Sequence, residues 1–265
     1  MSAASRERFG WTLYESGPEH ADHTVLLLPG ALATAVFYDD LLAELQVEDA
    51  SIRFVATTLP GFGGTPAPAD VSMENYARVA GQIADELGCA AVVGHSLGAN
   101  VAVEMAGSGE FSGPVILLAP SLSRVDESKF PRALDRLSSA FGHLPYALTL
   151  KIIGPAMKSS LPAHRREVLI AELQKNDPRF LHRQTRAYLE YLDRHGSLAW
   201  RLCDSGVRAW VVFGEDDDIG LTDEERDVLE KCPSATLVTI ADAGHFALNQ
   251  KPGEIAEILL TAVSG

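Results

Sequence analysis

Short runs of consecutive apolar residues alternate with stretches of helical periodicity along most of the chain, the pattern of a parallel sheet covered by helices. Val25, Leu26, Leu27 and Leu28 form one such run and stop at Pro29-Gly30, as a strand buried on both faces would. Residues 37–45 then carry helical spacing. A second strand is expected at 53–57, closed by Leu59-Pro60-Gly61-Phe62-Gly63-Gly64, followed by a helix at 73–87 that ends at Gly88. Residues 90–93 read as a strand and 97–106 as a helix, with Gly94-His95-Ser96 between them; 115–119 reads as the next strand.

After Pro120 the pattern changes. From Arg124 to about Leu202 no segment has strand character, and helical stretches are punctuated by Pro131, Pro145, Pro155, Pro162 and Pro178. Residues 178–198 predict an amphipathic helix followed by a turn, the helix's inner stripe holding Leu181, Tyr188 and Leu192, with Arg179, Arg183, Arg186 and Arg194 mostly elsewhere on its circumference. Strands return at 209–213 and 236–240, with helices near 222–232 and at 253–263. The expected organisation is one sheet domain, residues 1–120 and 206–265, with a helical insertion at 121–205.

At 265 residues and 46% apolar composition, the chain suits one large globular domain. Charge follows the same division. A net charge of −14 argues against nucleic acid as a partner, yet residues 121–205 hold 14 Lys+Arg against 9 Asp+Glu, so the insertion is basic and its flanks strongly acidic. The apolar stretch 25–37 is too short to span a bilayer, and no membrane partner is expected. Residues 1–10 carry Arg6, Glu7 and Arg8 and lack the apolar stretch of a secretory signal. Cys89, Cys203 and Cys232 are odd in number and match no metal-ligand spacing; they predict a reduced cytoplasmic protein without structural disulfides.

The chemistry is concentrated in three loops. Gly94-His95-Ser96-Leu97-Gly98 matches G-x-S-x-G between a strand and a helix, where a tight turn exposes the serine hydroxyl and the following helix aims its N-terminus at the reaction centre. Leu97 N–H can then donate to a developing oxyanion. A serine hydroxyl needs a proton acceptor, and Gly244-His245-Phe246 supplies one after the last strand. His95 adjoins the serine, but consecutive side chains diverge in such a turn, so it reads as a packing or hydrogen-bonding residue. The base must be oriented by a carboxylate, and Glu215, Asp216, Asp217 and Asp218 all follow the preceding strand; only one can hold that position without like-charge repulsion. The stretch from Gly61 to Gly64 is out of register with a dinucleotide fingerprint. No metal or organic cofactor is implied.

In these segments, together with Leu27-Leu28-Pro29-Gly30-Ala31, Leu59–Thr65 and Pro252, the chain resembles the α/β-hydrolase superfamily, in particular its lidded serine esterase, lactonase and C–C hydrolase-like branch. The resemblance implies an α/β-hydrolase fold: a mostly parallel sheet flanked by helices, with a helical lid inserted after the sixth strand. It selects Asp217, three residues beyond Gly214, as the triad acid, with Asp216 as runner-up. It gives the second oxyanion donor to Ala31 N–H, with Leu32 as the alternative. Two departures stand out: Pro29 replaces a common histidine and Thr58 a common aspartate. Ser96 argues against the dehalogenase and epoxide hydrolase reactions of this fold, which use an aspartate nucleophile. The implied function is hydrolysis of an ester, thioester or lactone through an acyl-enzyme. A C–C hydrolase, perhydrolase or lyase with the same triad, or a binding protein with a vestigial triad, are the alternatives. The expected partner is a small acyl substrate. A basic lid over an acidic body also fits an anionic substrate or an acidic acyl carrier, although lid-to-body ion pairs would account for the same charge.

Overall fold

The computed structural model of the protein describes residues 5–48 and 51–264. Its eight strands are β1 (Ser5–Arg8), β2 (Trp11–Ser16), β3 (His23–Leu28), β4 (Ile52–Thr58), β5 (Cys89–His95), β6 (Val115–Leu118), β7 (Ala209–Gly214) and β8 (Ala235–Ile240). They form one sheet in the order β1-β2-β4-β3-β5-β6-β7-β8, with β1 and β2 antiparallel and the other six mutually parallel. The six parallel strands lie where the apolar runs put them. The antiparallel pair is an addition. Its turn at Phe9-Gly10 has φ of 50° and 80°, a hairpin geometry that Asn-Gly or Asp-Gly usually announces and Phe-Gly does not.

Alternate residues of each parallel strand serve separate apolar layers, because successive side chains leave a strand on opposite faces. Leu26, Leu28, Val92 and Leu117 pack towards α2 (Met73–Glu86) and α3 (Leu97–Ser108). Val25, Leu27, Val93 and Ile116 pack towards α1 (Asp39–Glu48) and α11 (Pro252–Ser264). The remaining body helices are α9 (Asp223–Lys231) and the short α10 (Ala247–Gln250). Caps fix the starts of two of them. Ser72 accepts from Asn75 N–H at 3.2 Å before α2, and Thr222 and Glu225 close a capping box on α9.

Between β6 and β7 lie five helices: α4 (Lys129–Phe141), α5 (Leu144–Ala156), α6 (Arg166–Gln174), α7 (Pro178–His195) and α8 (Leu198–Ser205). Pro145 and Pro178 occupy first turns, where a missing N–H costs nothing. Helix α7 buries Leu181, Tyr188 and Leu192 and leaves Arg179, Arg183, Arg186 and Arg194 exposed; it ends at His195, and the expected turn begins at its cap, Gly196. Part of the insertion's positive charge is tied to the acidic body. Arg201 pairs with buried Glu104 at 2.8 Å, Arg165 with Asp39 at 2.6 Å and Arg194 with Glu74 at 3.1 Å.

The cysteines correct the sequence reading. Cys203, in α8, and Cys232, just after α9, are joined by a disulfide with Cα atoms 5.8 Å apart; Cys89 is free. Their separation of 29 residues gave no hint of this, because the packing of α8 on α9 brings them together. A cross-link of that span stabilises by about 3–4 kcal/mol in the chain-entropy account. The cysteines therefore no longer argue for a reducing compartment.

Asp126, at the start of the insertion, is buried beside Glu225 of α9 and accepts from Ser123 N–H at 3.1 Å. Burial, then the hydrogen bond and charge of Glu225, push its carboxyl up to about 7 from the ordinary 3.8. A raised carboxyl pKa means that the folded chain holds a proton which the unfolded chain releases. Its contribution is complete below pH 3.8 and is lost as pH rises to about 7. Wild type should lose thermal stability between about pH 5 and pH 8 more steeply than Asp126→Asn, measured by melting temperature across that range. Equal slopes would contradict the assignment.

Candidate active site

Ser96 sits between β5 and α3 at φ 51° and ψ −118°, a backbone region that side chains other than glycine rarely occupy. The surroundings force it. A Cβ on Gly94 would lie 2.3 Å from Gly98 O, and one on Gly98 would lie 2.1 Å from Leu28 O, so strand and helix can cross this closely only with glycine at both positions. Ser96 N–H donates to Leu118 O at 2.8 Å and Asn100 N–H to Ser96 O at 3.1 Å, which pins the turn from both sides. Leu97 opens α3, where the N–H groups have no acceptor within the helix.

The loop after β3 lies against this elbow. A Cβ on Gly30 would meet His95 Nδ1 at 2.9 Å and Ser96 Cβ at 3.1 Å, so the backbone at Gly30 touches the serine. Ala33 N–H donates to Gly30 O at 3.2 Å and Leu32 takes φ 68°, a turn with Ala31 exposed at its tip. Thr58, which replaces the family's aspartate, supports the same loop by accepting from Ala35 N–H at 3.1 Å.

Asp217 and His245 come from the loops after β7 and β8. His245 Nδ1 is 3.1 Å from Asp217 Oδ2 and 3.2 Å from Oδ1, and Oδ1 also accepts from Ile219 N–H at 2.9 Å. The carboxylate is 1% exposed and the imidazole 28%: one buried, the other facing the site. Gly214 is required below them, since a Cβ there would meet Ala243 O at 2.2 Å. Asp216 is turned outwards, its backbone N–H on Ala243 O at 2.9 Å. The structure thus brings Asp217, not Asp216, to the imidazole. With Nδ1–H donated to Asp217, Nε2 is the nitrogen left to accept a proton. Among the described residues the Ser96 hydroxyl makes no hydrogen bond to His245; such contacts often tighten only when substrate is bound.

His95 links the two halves of the site. Its Nε2–H donates to the backbone carbonyl of His245 at 2.8 Å, and the two rings lie 5.0 Å apart. Burial, then the neighbouring His245, push its imidazole down to about 3, so it stays neutral and acts as a fixed donor. This agrees with its reading as a hydrogen-bonding residue and not the base.

One residue with a part in the site had no signal in the sequence. Asn176, buried between α6 and α7, donates through Nδ2 to Leu32 O and to Leu173 O, both at 2.8 Å, and accepts from Gly63 N–H at 3.1 Å. It clamps the Ala31 loop to the Gly61–Gly64 loop from the insertion side. In the sequence it is one polar residue before Asp177-Pro178, indistinguishable from a helix start. Asn176→Ala should lower kcat about 10- to 100-fold with a smaller change in KM, because displacement of a loop by about 1 Å can cost that much. Steady-state kinetics on a purified, folded variant would check it, and an unchanged kcat would refute the positioning role.

Among the described residues no cluster of three or more His, Cys, Asp or Glu side chains could hold a metal, and no helix is long and apolar enough to cross a membrane. A strained serine at a strand–helix elbow, beside a histidine–aspartate pair at the carboxyl edge of a parallel sheet, defines the hydrolase class of site. The sequence matches the alpha/beta hydrolase family model over residues 25–258, and the chain belongs to that family. Among curated proteins, none matches the sequence. Solved structures share the fold at low identity. An esterase from Exiguobacterium antarcticum is 15% identical over 96% of each chain, with TM-score 0.74. The thioesterase domain from the curacin biosynthetic pathway is 20% identical over 98% of this chain and 99% of its own, with TM-score 0.71. The N-acyl homoserine lactonase AidH, complexed with N-butanoyl homoserine, is 18% identical over 98% of this chain and 96% of its own, with TM-score 0.70.

Proposed function

We propose that this hydrolase transfers acyl groups to water from an ester, thioester or lactone, through an acyl-enzyme on Ser96. The observation that carries the reading is Ser96 held at positive φ at the start of α3 while the Asp217-bound imidazole of His245 stands on a neighbouring loop. Ser96 Oγ attacks the carbonyl carbon as His245 Nε2 takes its proton, and the resulting imidazolium is stabilised by Asp217. Leu97 N–H and Ala31 N–H stabilise the tetrahedral oxyanion. As that intermediate collapses, the carbonyl–leaving-group bond breaks and His245 gives its proton to the departing alcohol or thiol. Water then attacks the acyl-serine, losing a proton to His245, which returns it to Ser96 Oγ as the acid leaves. Helices α4–α8 serve as the lid, and the Asn176 clamp couples that lid to the oxyanion loop. The esterase, thioesterase and lactonase among its structural neighbours support the substrate class.

The test is a panel of aryl esters, acyl-thioesters and lactones at fixed pH. Turnover of at least one class is expected, with a pre-steady-state burst of leaving group when substrate is in excess and deacylation is the slower step. No turnover of any class by folded protein would count against the reading.

A further inference from the structure

The basic insertion is not uniformly tied to the body. Between Ser128 and Ser160 the charged side chains are Lys129, Arg132, Arg136, Lys151 and Lys158 against one carboxylate, Asp135, which is half-buried and 3.6 Å from Arg124. None of the five cations forms an ion pair among the described residues, unlike Arg165, Arg194 and Arg201. In a chain of net charge −14, this is a surface on which the only unpaired formal charges are positive.

The same two helices expose large apolar side chains. On α4 these are Phe130, Leu137 and Phe141; on α5 they are Leu144, Leu148 and Ile152. At 3.6 residues per turn the α4 trio falls within a sector of about 40°, with Lys129 and Arg136 about 80–100° away along one flank and Arg132 towards the opposite face. The α5 trio, spaced i, i+4 and i+8, makes a second stripe with Lys151 at its edge. Helix α5 follows α4 after Gly142-His143, and the two pack together, so the stripes belong to one hairpin. Phe141 and Leu148 are 60% and 61% exposed, and no described residue covers them.

From this juxtaposition we propose that the α4–α5 hairpin docks on an anionic lipid surface, its apolar stripes entering the headgroup boundary and its cations facing lipid phosphates. Exposed apolar sectors rimmed only by Lys and Arg are the composition of helices that lie in a membrane interface. A soluble acidic protein would satisfy the cations but leaves six exposed Phe, Leu and Ile side chains with less to bury into. The expectation of no membrane partner rested on the length of apolar runs, which bears on spanning a bilayer and not on lying along it. The proposal does not depend on the acyl-transfer reading, since its readout is association and not turnover.

The experiment is co-sedimentation of the full chain with vesicles of phosphatidylcholine alone and of phosphatidylcholine with phosphatidylglycerol, at low and high salt. The expected result is binding to the anionic vesicles, weakened by salt and reduced at least about tenfold by Phe141→Ser with Leu148→Ser, and likewise by Lys129→Gln, Arg136→Gln and Lys151→Gln together. Circular dichroism checks that each variant folds. Phe141→Trp gives a second readout, a blue shift of its emission on anionic vesicles only. Absence of vesicle binding at low salt, or binding untouched by both sets of substitutions, would overturn the proposal. So would a dimer in solution that Phe141→Ser with Leu148→Ser converts to monomer. Capture of an acidic acyl carrier protein, lost in the same variants and without vesicle binding, would also overturn it and assign the face to a protein.

Discussion

Ser96→Ala should reduce kcat for any substrate of this enzyme by about a millionfold, to the residual rate that binding and oxyanion stabilisation alone can give. The loss comes from one atom. Without Oγ no acyl-enzyme can form, and the only remaining route is direct attack by water. The substitution suits the test structurally as well. Alanine at φ 51° meets the same backbone strain as serine, and the Ser96 N–H bond to Leu118 O and the Ser96 O bond from Asn100 are main-chain contacts that survive. The variant should therefore fold with a melting temperature close to wild type while being inert. Activity within about tenfold of wild type would show that another nucleophile operates.

Asp217→Asn should lower kcat by about 10,000-fold, and Asp216→Asn by no more than a few-fold. The asymmetry follows from geometry. Asp217 receives Nδ1–H of His245 and the Ile219 N–H through a carboxylate shielded from water, so an amide there would present N–H₂ to the imidazole and favour the tautomer that cannot accept the serine proton. Asp216 reaches the site only through its backbone N–H on Ala243 O, which the amide leaves unchanged. Steady-state kinetics of the two variants side by side decide the matter. Comparable losses would move the acid away from Asp217.

The sequence was most informative where chemistry forces the backbone. Gly94 and Gly98 announced the elbow because nothing larger fits between β5, α3 and Leu28, and the apolar runs of the five inner parallel strands announced them because both faces are largely buried, whereas the edge strand β8 keeps Thr236 and Thr239 exposed. The choice among four consecutive acidic residues was of a different kind. Composition could not make it; spacing from Gly214, read through the family resemblance, pointed to Asp217, and the turn that buries Asp217 while leaving Asp216 outward brings that carboxylate to the imidazole. Three other features depended on long-range packing, on which periodicity is silent. Cys203 and Cys232 meet because α8 lies on α9. Asn176 acts on loops that lie far upstream of it in the chain. The α4–α5 stripes have the spacing of an ordinary buried face, and only the fold shows that Phe141, Leu144 and Leu148 have no cover.

The proposed acyl transfer requires Ser96, His245 and Asp217 to act on one another as a single nucleophilic unit. Its most direct measurement is covalent labelling with a fluorophosphonate, followed by intact-mass determination and peptide mapping. One phosphonyl group per chain is expected, mapped to Ser96, with labelling lost in Ser96→Ala and slowed at least about a hundredfold in His245→Gln. Labelling at another residue, or a folded wild-type chain that does not label, would contradict it.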